Sequence, residues 1–119
     1  MQVSPDKVFK TLVAVLDTRE LLVAVIPVST SLNMKMLAKA AGGKKAAMAE
    51  VNAVQRSTGY VLGGVSPLGQ KKQLRTFIDS SATEFETIFV SAGKRGLEIE
   101  LSPNDLKTLT AAQFAALSA

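Results

Sequence analysis

Two apolar runs open the chain. Phe9 to Leu16 mixes Val, Thr and Leu as a strand does, and Leu21 to Val28 is a continuous run, LLVAVIPV, that suits a strand buried on both faces. The polar residues Asp17 to Glu20 between them are few enough for a hairpin. The period then changes. Leu32, Met36, Leu37 and Ala40 recur at near-helical spacing, which predicts a helix over 31–41, capped by Asn33 or Ser31 and stopped by Gly42-Gly43. A short strand over 44–49 and a short helix over 50–56 follow, the helix with Val51 and Val54 facing inward. Arg75 to Ile78 reads as a strand and Asp79-Ser80-Ser81 as a turn. Thr87 to Ser91 and Leu97 to Leu101 carry the clearest strand signals. In the second, Leu97, Ile99 and Leu101 alternate with Glu98 and Glu100, predicting one buried and one polar face. Ala92 to Gly96 connects the two as a hairpin loop. Pro103, with Ser102 as cap, opens a helix over 104–109, and a last helix is expected over 111–117, capped by Thr110.

The order β-β-α-β-α-β-β-β-α-α is not a regular βαβ alternation. It predicts an α+β fold with a mixed, largely antiparallel sheet and helices packed around it. No repeat, low-complexity tract or linker interrupts the 119 residues, so a single domain over 1–119 is expected.

The stretch Ser57 to Lys72, STGYVLGGVSPLGQKK, breaks the apolar pattern most sharply. Its glycines permit close backbone approach and positive φ, so it can form a tight, polar-lined bend whose N–H groups hold a carbonyl or a phosphate. A glycine-rich connection between strands is the other reading. It is no P-loop: Gly64 and Gly69 have the glycine spacing, but Gln70 and Lys71 stand where lysine and a hydroxyl residue belong. No G-x-G-x-x-G occurs, so a Rossmann dinucleotide site is unsupported.

Composition narrows the chemistry. Hydrophobic residues make up 47% and charged residues 20%, the balance of a folded chain. No apolar run is long enough to span a bilayer, and Met1 to Lys10 has no signal-peptide core, so a soluble cytoplasmic protein without a membrane partner is expected. Histidine and cysteine are both absent. That excludes Ser-His-Asp and Cys-His nucleophiles, disulfides and the usual zinc sites. Acid–base work falls to Lys, Asp, Glu, Tyr, backbone groups, a bound metal or the substrate itself. The net charge of +4 leaves room for a polyanion, with basic clusters at Lys35, Lys39, Lys44 and Lys45, at Arg56, Lys71, Lys72 and Arg75, and at Lys94 and Arg95. A solvated face accounts for each cluster equally well.

Three linked words are recognisable together: FKTL (Phe9 to Leu12), RSTGYVLGGVSPLGQKK (Arg56 to Lys72) and VSAGKRGLEIEL (Val90 to Leu101). Their order and separation resemble the bacterial YbaK family, small trans-editing enzymes that deacylate cysteine mischarged on proline tRNA. The resemblance runs from about Val3 to the C-terminus, and FKTL with GGxSPLGQKK points to the cysteine-specific branch. It implies a mixed sheet curled into a partial barrel, with the 3′ end of the tRNA in a cleft lined by the FKTL lysine and the glycine loop. Carried over, the catalytic positions are Lys10 and Gly63. Gly64, Ser57, Thr58, Tyr60 and Ser91 line the cleft, with Glu98 a weaker member. Lys71, Lys72, Lys94 and Arg95 face tRNA phosphates. No metal or other cofactor is implied. The partners implied are mischarged proline tRNA and prolyl-tRNA synthetase.

The resemblance also implies a mechanism, in which the thiol of the bound cysteine attacks its own ester and releases a thiolactone. The step is formally lyase-like although the outcome is deacylation. There are two departures from the family. Ala92 replaces the first glycine of its GGKRG turn, and this chain starts almost directly at the lysine motif, where the family has an opening helix and strand forming one wall of the cleft. An open site is therefore expected. Other readings remain at this point: a deacylase for another amino acid such as alanine, a tRNA- or synthetase-binding module without chemistry, or an interaction protein acting through its basic face.

Overall fold

The computed structural model describes residues 4–60, 65–94 and 96–118. Strand β1 (Phe9–Leu16) turns back into β2 (Leu21–Pro27) as an antiparallel hairpin, in register from Phe9 opposite Pro27 to Val15 opposite Leu21. Arg19 supplies the positive φ of the turn, and its N–H bonds the Leu16 carbonyl at 2.8 Å. Helix α1 (Met34–Ala41) begins where Asn33 Oδ1 accepts the Met36 N–H at 3.0 Å. It ends at Gly42, whose left-handed φ of 81° lets its N–H reach the carbonyls of Ala38 and Lys39. Strand β3 (Ala46–Met48) joins the far edge of β1, but only over Ala14 to Leu16.

Helix α2 (Val51–Thr58) leads into the glycine-rich loop and on to β4 (Arg75–Asp79), which lies parallel to β2. After a 3₁₀ turn (Ser80–Glu84), β5 (Ile88–Lys94) and β6 (Leu97–Leu101) make a separate antiparallel hairpin. Helix α3 (Pro103–Thr110) starts at Ser102, whose Oγ accepts the Asp105 N–H at 3.0 Å. The last strand, β7 (Gln113–Ala115), runs parallel to β4, which gives a five-stranded sheet in the order β3-β1-β2-β4-β7.

Because β2 and β4 are apolar on both sides, the sheet builds a core on each face. One face packs Ala14, Leu16, Leu22, Ala24, Ile26 and Phe77 against Leu37, Ala38 and Ala41 of α1. The other packs Phe9, Val23, Val25 and Ile78 against Ile88 and Val90 of β5 and Leu106 of α3. No helix among the described residues is long and apolar enough to cross a membrane.

The fold class is the expected mixed α+β, with several local corrections. The sheet is mixed as expected and open, and the one difference in its pairing is that two of the four are parallel where a largely antiparallel sheet is expected. The helix expected over 111–117 does not form. Ala111 takes a left-handed φ of 54° and ends α3, and the chain enters β7 instead. Helix propensity spans less than about 1 kcal/mol per residue for ordinary side chains. Pairing with β4 and full burial of Leu117 outweigh it. The alternation in β6 does not make a buried face: Leu97 is 53% and Ile99 40% exposed. Helix α2 continues two residues past Arg56, so Ser57 and Thr58 belong to its last turn and not to the loop. Val54 is buried as expected, and the Val51 side chain lies outside the described set.

Candidate functional site

Among the described residues one edge of β1 is unpaired along its middle, and the site lies there. Val28 N–H donates to the Val8 carbonyl and Leu16 N–H to the Glu20 carbonyl, both at 2.8 Å. Even-numbered positions of β1 therefore exchange backbone bonds with β2, and odd-numbered positions direct their N–H and C=O groups to the other edge. That edge is bridged at one end by β5, where Phe89 N–H donates to the Lys7 carbonyl at 3.1 Å beside a parallel Val8–Phe89 bridge. At the other end Ala49 N–H donates to the Val13 carbonyl at 3.0 Å, just before β3. Between these closures a cleft of about 440 Å³ opens along Val8 to Leu12.

The other walls of the cleft come from Val28, from Val65 after the glycine-rich stretch, and from Ser91, Lys94, Gly96, Leu97 and Glu98 of the hairpin. Pleat alternation sends Phe9, Thr11 and Val13 to the face under the hairpin and Lys10 and Leu12 to the face of α1, so the cleft wraps the strand edge. Hairpin register sets Ser91 directly opposite Glu98. A bulge between Ser91 and Lys94 is held by Gly93 N–H donating to Ser91 Oγ at 3.1 Å. Lys10 is half-buried, whereas Lys94 and Glu98 are exposed at the rim. Two cations and a carboxylate thus surround a partly apolar floor, an arrangement able to hold an anionic and an ammonium group at once.

Four of the site residues expected from sequence meet in this cleft: Lys10, Ser91, Lys94 and Glu98. Ser57, Thr58 and Tyr60 are not among the described residues that line it; they bond to residues 68–72, at the far end of the glycine-rich stretch. Ser57 and Thr58 are 4% and 1% exposed, and their carbonyls accept the N–H groups of Lys72 and Lys71 at 2.8 and 3.0 Å. Thr58 Oγ1 donates to the Val54 carbonyl at 2.7 Å and accepts the Tyr60 N–H at 3.1 Å. Tyr60 Oη donates across the loop to the Leu68 carbonyl at 2.6 Å. Lys71 and Lys72 keep their side chains exposed. Gly63, Gly64 and Arg95 lie outside the described residues.

Loop and hairpin meet at Gly93, where φ is +100° and an added Cβ would stand 2.8 Å from Tyr60 Cε1. Gly93→Ala should therefore strain the backbone and push the Tyr60 ring out of place. We expect a melting temperature lowered by roughly 5–10 °C, from about 1–3 kcal/mol of strain. A thermal melt unchanged from wild type would show that the bulge and ring yield without cost.

Thr11 also lines the cleft, although in the FKTL word only its neighbour Lys10 stands out from sequence. The signal was present: a hydroxyl on the buried Phe9–Thr11–Val13 face of a strand.

Comparisons with known proteins agree with this architecture. The model of the aminoacyl-tRNA editing domain family matches residues 1–109. EbsC of Enterococcus faecalis, whose assigned activity is that of a Cys-tRNA(Pro)/Cys-tRNA(Cys) deacylase, is 44% identical over 116 residues, spanning 98% of this chain and 71% of its own. Among solved structures, the hypothetical protein APE2540 superposes with a TM-score of 0.89 at 28% identity, over 98% of this chain and 77% of that one. A protein assigned as a trans-editing enzyme for prolyl tRNA synthetase superposes with a TM-score of 0.89 at 23% identity, over 98% and 73%. With the family model covering nearly the whole length and the FKTL lysine lying in the cleft, the chain belongs to the YbaK-like aminoacyl-tRNA editing domain family.

Proposed function

We propose that this chain acts, as one editing unit over 1–119, to deacylate cysteine mischarged on proline tRNA. The observation that carries the reading is the meeting of Lys10 with the opposed pair Ser91 and Glu98 in one cleft. An aminoacyl ester is already activated, so the protein needs only to bind the 3′-terminal adenosine, orient the ester and stabilise the developing oxyanion. Lys10 supplies the cation for the terminal phosphate or the oxyanion. Glu98 faces the α-ammonium group from the rim, and the hydroxyl of Ser91 lies beside it. Lys94 and the exposed Lys71 and Lys72 contact tRNA phosphates, a role in which they position the acid without reading its sequence. Backbone N–H groups of Gly63 and Gly64 complete the ester's surroundings in this scheme. Prolyl-tRNA synthetase is the protein partner that would present the mischarged tRNA, in the cytoplasm.

The substrate supplies the nucleophile. The cysteine sulfur bonds to the ester carbonyl carbon, the bond from that carbon to the ribose oxygen breaks, and the thiol proton ends on the freed ribose hydroxyl. The products are uncharged tRNA and a thiolactone that water later opens. The step asks for no histidine or cysteine in the protein, and the chain has none.

The test is to incubate the purified chain with cysteine-charged and alanine-charged proline tRNA and to follow loss of the amino acid. The cysteine form should be cleared faster. Lys10→Ala should lower that rate at least about tenfold, equivalent to roughly 1.4 kcal/mol of transition-state stabilisation, with little change in melting temperature. Faster loss of alanine would make this an alanine-editing enzyme. If neither amino acid were lost while tRNA still bound, the chain would be a binding module, and a wild-type rate in Lys10→Ala would remove the lysine from the chemistry.

A further inference from the structure

We propose that Thr11 is a substrate-contact residue, its hydroxyl hydrogen-bonding a neutral oxygen of the aminoacyl-ribose end, either the ester carbonyl or the ribose hydroxyl. The inference rests on the editing reading above and adds a residue to it.

Thr11 lines the cleft and is only 9% exposed, and its Oγ1, shielded from solvent just beneath the cleft surface, has no hydrogen-bond partner among the described residues. The three other buried threonines behave differently. Thr58, Thr76 and Thr110 donate to the carbonyls of Val54, Leu74 and Leu106 at 2.7, 3.0 and 2.7 Å. A buried hydroxyl left unmet costs stability, and valine would fill nearly the same volume without that cost. A polar group kept at such a place fits a partner that arrives with the ligand.

Position favours a neutral partner. The charged groups of the cleft lie elsewhere, Lys10 half-buried on the opposite pleat and Lys94 and Glu98 exposed at the rim. The floor beside Phe9 and Val65 is apolar, and a charge brought there would lose its water. Thr11 is also an odd-numbered position of β1, so its backbone N–H and C=O face the same edge as the cleft. The hydroxyl itself is shielded from solvent, so a turn of the Thr11 side chain is what would bring it, beside the backbone groups, to an oxygen-rich ligand lying along the strand.

The test uses Thr11→Val, which deletes the hydroxyl, and Thr11→Ser, which keeps it. With cysteine-charged proline tRNA, Thr11→Val should raise KM about five- to tenfold, the size expected for one neutral hydrogen bond, while its melting temperature stays level or rises. Thr11→Ser should recover most of the loss. Binding of an amide-linked 3′-cysteinylamino-3′-deoxyadenosine, which cannot be cleaved, should weaken by a similar factor in the valine variant. Repeating the kinetics on tRNA ending in 2′-deoxyadenosine separates the two oxygens: the penalty disappears if the ribose hydroxyl is the partner and persists if it is the carbonyl. Wild-type KM and binding in Thr11→Val would overturn the proposal, and so would a lowered melting temperature, which would give the hydroxyl a structural role. An inactive wild-type chain would instead overturn the editing reading, and the amide-linked ligand would still decide on Thr11: weaker binding to Thr11→Val supports the contact, whereas equal or undetectable binding overturns it.

Discussion

Serine-charged proline tRNA should be deacylated roughly a hundredfold more slowly than the cysteine form, because a hydroxyl is a far weaker nucleophile than a thiol that is a few per cent thiolate at neutral pH. The expectation follows from the proposed route, in which sulfur attacks its own ester. The cleft supplies a natural competitor. Ser91 stands directly opposite Glu98, and its Oγ already accepts the Gly93 N–H, which leaves its own proton free to be given away. Were Ser91 the nucleophile with Glu98 as base, the two substrates would react at similar rates and Ser91→Ala would abolish both. Were the nucleophile an activated water, the rates would again be similar, but Ser91→Ala would lower both only modestly. A large cysteine preference that survives Ser91→Ala is the result that supports the substrate's thiol. Measuring single-turnover rates for both charged tRNAs with both proteins distinguishes the three cases.

Asp79→Ala should cost about 3 kcal/mol of stability, the largest loss we expect from a single side chain outside the apolar core. Asp79 ends β4 and is only 4% exposed. Its Oδ1 accepts the N–H groups of Leu117 and Ser118 at 2.8 and 3.2 Å, and its Oδ2 accepts the N–H and hydroxyl of Ser81 at 3.4 and 2.5 Å. One carboxylate therefore caps the 3₁₀ turn and pins the chain beyond β7. Alanine leaves the buried Leu117 N–H unmet and takes the acceptor from the part-buried donors of Ser118 and Ser81. Hydrogen bonds to a charged group contribute roughly 1.5–3 kcal/mol apiece, though losses at one shared acceptor do not add. Asparagine can keep the Leu117 and Ser118 bonds through its carbonyl, so Asp79→Asn should lose only about 1 kcal/mol. Urea unfolding of the three proteins is the measurement, and a wild-type midpoint for Asp79→Ala would rule out the clamp.

Much of this molecule was legible locally. Asn33 and Ser102 announce their helices because an N-cap needs only an acceptor and an N–H three residues on. Gly42 marks a helix end because the left-handed turn suits a residue without Cβ. The β1–β2 hairpin follows from two apolar runs and a short polar turn. Absence of histidine and cysteine removed whole classes of chemistry before any fold was known. The linked words around Lys10, Ser91 and Glu98 brought residues far apart in the chain into one expected site, and three-dimensional packing does place these three along one cleft.

Tertiary structure decided what local chemistry leaves open. Residues 111–117 read as helix on their own, but pairing along β4 and the burial of Leu117 turn Gln113–Ala115 into an edge strand, since pairing and burial outweigh a weak propensity. The alternating pattern of β6 predicts two unlike faces, yet what covers a face depends on neighbours distant in sequence, and Leu97 and Ile99 stay exposed. Ser57, Thr58 and Tyr60 look like cleft residues within a glycine-rich word. The backbone bonds of Thr58 and Ser57 to Lys71 and Lys72, and of Tyr60 to Leu68, make them the clasp of a loop. Among the described residues, β5 and β3 close the β1 edge at its two ends and not between them, and that leaves the gap. Thr11 acquires its meaning only there. A threonine in a strand is ordinary by composition, and one buried beside an edge unpaired among the described residues, with its hydroxyl unmet by them, is a consequence of long-range packing.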